Sequence, residues 1–311
     1  MAKCHYLTRI AIVLSCSALL AAVLGHSPVL ATEKAPTDIL HVPEIEAGFH
    51  LLYQLKPMKA RAQFEAWQKS HPEDPLGSAS EAASYLFEEC YRQGILTSAF
   101  FLDNNRFLRK NPLKPDPELR SAFFAAEEQA QHLAQLRLKK NPDDTNALFA
   151  MALSLGRQAD YASLIDKQQL KSLTLTREAD KYAKRLLVID PKAADACLGL
   201  GMANYIIGSL PKHQRFFLGF AGIHGNKERG LQQLEIAAEN GHYLRPFAKM
   251  LLAMAALREK KPDVARTQLS ELVAEFPSNP LFASELAKVE PRTSSLLPLH
   301  RVAAFLSAHL N

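Results

Sequence analysis

Cysteine and tryptophan are scarce, with four and one in 311 residues. Four thiols are too few to staple a chain of this length, so a disulfide scaffold is excluded. Dedicated catalytic or ligand signatures are missing as well. There is no His-Glu-x-x-His, no Cys-x-x-Cys, no glycine-rich phosphate loop, no EF-hand loop and no Gly-x-Ser-x-Gly elbow. No stretch alternates apolar and polar residues long enough to propose a sheet. Charge of one sign is not in excess either: 37 Lys and Arg stand against 32 Asp and Glu, a net +5. Without Lys3 and Arg9, which lie in a segment read below as removable, the balance falls to 35 against 32. So small a surplus gives no electrostatic case for nucleic-acid binding, which needs a basic face. At 48% hydrophobic and 22% charged, the composition excludes disorder throughout.

The first 31 residues do not read as part of the fold. Lys3 and Arg9 form a positive start, Ile10 to Leu24 is an apolar run, and Val29-Leu30-Ala31 puts small residues before Thr32. This is the layout of a secretory signal peptide, with cleavage after Ala31 and a flexible segment, 32–43, following it. A run of about fifteen apolar residues is short of the ~20 needed to span a bilayer, so no stable membrane span is expected. Val13-Leu14-Ser15-Cys16 resembles a lipobox only loosely, and lipid anchoring at Cys16 is the less favoured reading. The expected location is exported, periplasmic or extracellular, in a bacterium. Cys90 and Cys197 sit in helical, apolar text and are expected to pack as small hydrophobes, with a disulfide between them the lesser alternative.

From about Glu44 onward Ala, Leu, Glu, Gln, Lys and Arg dominate, and the fold class is all-α. Helical runs stop at His71-Pro72-Glu73-Asp74-Pro75, Asn141-Pro142-Asp143-Asp144, Asp190-Pro191-Lys192 and Phe276-Pro277-Ser278-Asn279-Pro280. Proline cannot continue a helix, while the neighbouring Asp, Ser or Asn can cap the next one. Pro72 and Pro142 are 70 residues apart, two units of 34 or 35; the other intervals, 49 and 86, are whole units plus insertions.

With that period the chain resembles the tetratricopeptide repeat (TPR) family, a 34-residue helix–turn–helix with small residues where its helices cross. Ala179 to Pro191 matches a second helix with its small residue and terminal Asp-Pro, and Leu200-Gly201 falls on the first-helix Leu-Gly pair. The same frame places Ala60 before Pro72, and Leu252-Ala253 and Ala265 before Pro277. The resemblance implies a right-handed superhelical solenoid of about six antiparallel pairs: 44–70, 79–140 with a loop inside it, 144–189, 193–239, 244–276 and 280–309. Residues 44–311 form one solenoid, with 296–310 as a C-terminal capping helix. Insertions fall at 104–117, 156–174 and 207–227.

Repeat solenoids offer an extended concave surface to peptides or partner domains. The first helices contribute His50, Tyr53, Asn146, Asn204 and Lys249 as polar surface candidates. The insertion from Tyr205 to Gly230 concentrates further ones. Phe216, Phe217 and Phe220 suit apolar anchoring, and Lys212, Arg215 and Arg229 suit an acidic or C-terminal group. The blander expectation, given more weight, is a hairpin that buries its phenylalanines against the solenoid. His213, His224 and Glu228 are weak metal candidates. Glu88, set among apolar residues beside Glu89, is a weak candidate for a buried catalytic acid. No cofactor is expected. The leading functional expectation is a non-enzymatic scaffold or adaptor with a protein or peptide partner in the cell envelope. A cell-wall hydrolase or lyase, or an accessory subunit of an outer-membrane assembly or transport system, are the alternatives.

Overall fold

Helix-stopping prolines set the architecture before any packing is considered. The computed structural model describes residues 41–103, 109–111, 113–220 and 222–290, and in it all four proline clusters form one and the same backbone turn. The N–H groups of His71, Asn141, Asp190 and Phe276 each close the preceding helix on the carbonyl four residues back. The N–H groups of Asp74, Asp144, Ala193 and Asn279 then return to the carbonyls of those four residues. Proline sits directly after each turn-forming residue, where its missing N–H leaves nothing unsatisfied. Asp74, Asp144 and Asn279 go on to accept a hydrogen bond, each at 2.9 Å, from an N–H in the first turn of the next helix.

A second recurring turn joins helices within a pair. Leu55 and Lys260 adopt φ of 59° and 58°, and the N–H groups of Lys56 and Lys261 bond to the carbonyls of Leu51 and Ala256. Pro57 and Pro262 then open the partner helices.

These signals produce thirteen helices among the described residues: α1 (Pro43–Tyr53), α2 (Pro57–Ser70), α3 (Pro75–Arg92), α4 (Ser98–Leu102), α5 (Pro117–Lys140), α6 (Thr145–Asp160), α7 (Gln169–Ile189), α8 (Ala196–Gly208), α9 (Lys212–Phe220), α10 (Lys227–Asn240), α11 (Arg245–Arg258), α12 (Pro262–Glu275) and α13 (Pro280–Val289). No strand occurs among those residues. Helices pack as antiparallel pairs, α1 with α2, α3 with α5, α6 with α7, α8 with α10 and α11 with α12, and each pair stacks on the next. The result is an all-α, TPR-like solenoid, and its described residues belong to one unit, Asp38–Asn311.

Helix ends match the expected pairs closely, except that α3 begins at Pro75 rather than at 79. The insertion at 156–174 is a continuation, since α6 runs on through a π-helical turn, Tyr161–Ile165, before α7. Between α3 and the expected insertion at 104–117 the chain forms the short α4, whose Phe100 and Phe101 are buried. The signal peptide, the cap at 296–310 and the second helix of the sixth pair lie outside the described residues. The end of segment 32–43 is tied down, because the N–H of Val42 donates to Tyr243 Oη at 2.7 Å.

Small residues sit where the helices cross. Ala60, Ala253 and Ala265 are fully buried, Gly201 is buried, and Ala179 is 8% exposed. The tightest crossing joins α8 to α10. A Cβ on Gly230 would fall 2.4 Å from the Tyr205 nitrogen, and one on Gly201 would fall 2.9 Å from the Leu234 nitrogen.

The array also curls back on itself. Tyr53 in α1 donates from its hydroxyl to the Tyr243 carbonyl at 3.1 Å, and Asn279 donates to the Tyr53 carbonyl at 2.8 Å. Phe49 and Phe149 both pack on the Tyr243 ring. The first helix therefore touches the loops before α11 and before α13.

Candidate functional site

Curling leaves a cleft on the inner side, walled by α6, α7, α8 and α11. One lobe, of about 200 Å³, is lined by Leu153, Arg157, Asp160, Asp180, Met202 and Phe247, among others. A second lobe, of about 510 Å³, extends between α8 and α11 to Leu210, Pro211 and Arg258. Phe101, Met202, Ile206 and Leu251 line both lobes, so they form one groove. Phe101 belongs to α4, whose carbonyl end is held by Arg258 Nη1 at 2.7 Å. The connection between α3 and α5 thus helps to wall the groove.

Most of the lining is apolar, and its acids are engaged. Asp160 pairs with Arg157 at 3.1 Å and Asp180 with Lys184 at 3.4 Å. Burial raises both carboxyl groups above the ordinary Asp range, and the partner cations oppose the shift. Water still reaches Asp160, whose side chain is 43% exposed.

Glu127 in α5 is a different case. It is fully buried, and neither carboxylate oxygen has a hydrogen-bond partner. Burial drives its pKa well above the usual value, against weaker pulls from Ser154 and Arg157. The folded protein holds this proton at pH values where the unfolded chain has released it. Glu127 thus supports the fold fully below about pH 4, and that support fades as pH climbs through the elevated folded-state value. The variant Glu127→Gln is expected to be more stable than the parent above neutral pH, by about 1–2 kcal/mol. Denaturant titrations should show the two curves converging toward acid. Parallel curves from about pH 5 to pH 9 would sink the assignment.

Glu88 is not the buried acid. It pairs with Arg61 at 2.7 Å and is 32% exposed; its neighbour Glu89 is the buried one, 1% exposed, and is held by Arg92. The apolar neighbours in sequence lie one turn-angle away, around Glu89. Tyr53 is also corrected, from surface candidate to core, because its ring lies under Phe87 and Phe276. The other polar candidates scatter. His50 is exposed and meets the Phe276 ring at a tilt, Asn146 is half-buried, Asn204 donates to Gln233 at 2.8 Å, and Lys249 pairs with Glu271 at 2.6 Å.

The Tyr205–Gly230 insertion departs furthest from expectation. Its stem is pinned by glycines: a Cβ on Gly208 would fall 2.3 Å from the Lys227 nitrogen, and one on Gly225 would fall 2.7 Å from the Gly208 nitrogen. Beyond that stem α9 projects with no buried residue. Phe216, Phe217 and Phe220 are 63%, 68% and 77% exposed, so the hairpin that hides its phenylalanines is not what forms. Lys212, His213, Arg215 and Arg229 are exposed too.

His213, His224 and Glu228 do not converge as metal ligands. The described residues that do approach one another are His41, Glu46 and His242, with ligand atoms within 4.8 Å. Their geometry is that of a hydrogen bond and a ring stack. His41 Nε2 lies 2.7 Å from Glu46, and the two imidazoles stack 4.2 Å apart with planes only 19° from parallel, which keeps their lone pairs from converging. Cys90 and Cys197 are free and buried, and burial raises both thiols.

No protein-family model matches the chain, and no curated protein matches it. Among solved structures it is similar to a thermophilic TPR protein of Thermus thermophilus. The two are 13% identical, the match covers 79% of this chain and 96% of that one, and the TM-score is 0.42. The TPR-like fold stands on the helix pairing and shared turns above.

Proposed function

We propose that this protein is a non-enzymatic interaction scaffold of the bacterial cell envelope, exported by its first 31 residues, that holds an apolar segment of a partner protein in the inner groove. The observation that carries this is the two-lobed groove with Phe101, Met202, Ile206 and Leu251 common to both lobes. An elongated apolar trough suits an extended or helical peptide. Paired-carboxylate hydrolysis would need two acids free to face one bond. Asp160 and Asp180 are each tied to a cation on their own helix, which favours the scaffold over the hydrolase.

The test is site-specific. A photo-crosslinking residue at Ile206, 41% exposed, should capture one discrete partner in the exported fraction. Met202→Glu should cut that yield about tenfold, a loss of ~1.4 kcal/mol in affinity, while the helical circular-dichroism signal is retained. If a crosslinker at exposed His132 captures the same species with equal yield, the groove is not the site.

A further inference from the structure

We infer that α9 is a membrane-docking element that seats its phenylalanine ridge in the interface of an anionic phospholipid bilayer. Helical geometry places Phe216, Phe217 and Phe220 within one arc of about 100°, with Lys212 and Arg215 flanking it on one side. The rings form a continuous ridge: Phe216 meets Phe220 edge-on at 4.8 Å and Phe217 at 6.0 Å. None of the three is covered by the body, and each is more than 60% exposed.

The helix is also firmly delimited. Pro211 opens it, accepting from the Arg215 N–H at 3.1 Å, and Gly222, at φ +70°, closes it through a 3.0 Å bond to the Gly219 carbonyl. Charge selects the occupant. From Ala196 to Lys227 the chain has no acidic residue, while Lys212 and Arg215 stand beside the ridge and His213 lies within it. A cavity of about 530 Å³ opens between α9 and the returning chain, lined by Phe216, Phe220, Ile207 and Ile223 together with Lys212 and Arg215. An apolar hollow with cations in its lining matches an acyl chain and its anionic headgroup. A short helix with aromatic residues on one face and basic residues beside them lies naturally in such an interface. A protruding ridge also suits a deformable phase better than a rigid protein pocket, which would have to be built around it.

The full chain carries an apolar run near its start that can itself meet lipid, so the readout must sit on α9. In the variant Phe220→Trp, emission should shift to shorter wavelength and be quenched by brominated lipid. This is expected with vesicles of phosphatidylcholine containing about 30% phosphatidylglycerol, far less with phosphatidylcholine alone, and it should weaken in about 0.5 M salt. Trp67, present in the parent, supplies the background. In the otherwise unaltered chain, replacing Phe216, Phe217 and Phe220 together by serine should lower the partition coefficient at least about tenfold. Lys212→Gln with Arg215→Gln should lower it about fivefold per cation on the anionic vesicles alone. All these side chains are exposed, so folding is not at stake. The inference is overturned if the emission of the Phe220→Trp variant ignores vesicles or if the triple variant binds them as the parent does. A shift that follows protein concentration without lipid, marking a second copy, overturns it too, as does one that needs a partner protein. The crosslink at Ile206 reports on the groove independently of every one of these results.

Discussion

Replacing Asp195 with alanine is expected to lower the unfolding free energy by about 3–5 kcal/mol. Four inter-pair turns carry a proline cluster and three of them cap the next helix with their own Asp or Asn, but the one between α10 and α11 reads Gly241-His-Tyr-Leu, with no proline before Pro246 and no local side-chain cap. Asp195, at the start of α8, fills that role from a distance. Its carboxylate is 6% exposed and accepts from the N–H groups of Leu244 at 2.7 Å, His242 at 2.9 Å and Tyr243 at 3.3 Å. The negative charge also lies at the N-terminus of α11, where the helix dipole favours it. Burial raises the Asp195 pKa and the three N–H groups pull it back. Without the carboxylate the three N–H groups lose this shared acceptor. The loop they belong to carries Tyr243, on which Phe49, Tyr53 and Phe149 converge. Urea unfolding followed by circular dichroism measures the loss; a change under about 1 kcal/mol would show that water or a relaxed loop takes over, and the remote cap would be wrong.

Adding one methyl group at Gly230 should be nearly as damaging, at about 3 kcal/mol. Its Cβ would meet the Tyr205 nitrogen at 2.4 Å, the Gly201 carbonyl oxygen at 2.7 Å and Tyr205 Cα at 2.8 Å. All three are backbone, so no side chain can swing aside and α8 must part from α10. Gly199, on the facing helix α8, is the control, because a Cβ there meets nothing within 4 Å. Gly199→Ala should stabilise by about 0.5–1 kcal/mol through helix propensity alone. Thermal unfolding of the two variants should move in opposite directions. If Gly230→Ala melts with the parent, the close crossing does not constrain the pair.

Helix ends were legible because their causes are local: proline, a capping Asp or Asn, and the apolar run beside them act within about five residues. Gly201 was legible for the same reason, through its place in the repeat frame. Its counterpart Gly230 was not, since nothing nearby in sequence marks a contact with Tyr205. The matching Lys-Pro pairs at 56–57 and 261–262 are the sequence sign of the turn inside a pair. Long-range pairings left no trace in the text. Asp195 reads as an ordinary helix start, and Tyr53 reads as a polar candidate on the concave surface because the curl that buries it depends on residues some 190 to 226 positions away. At 88–89 the letters show two acids in apolar company, and only the helix phase tells which one turns inward. Of the two readings of the α9 phenylalanines, the buried hairpin rests on the general preference of aromatic residues for the interior, which says nothing of where the insertion points.

An open row of repeats interacts only with its neighbours and can fray from either tip. Here the bonds from Tyr53 to Tyr243 and from Asn279 to Tyr53 remove that freedom, because the two tips share one set of contacts. Peeling off the leading pair would expose the trailing ones at once, so partial melting from an end gains little and the chain has reason to open as a whole.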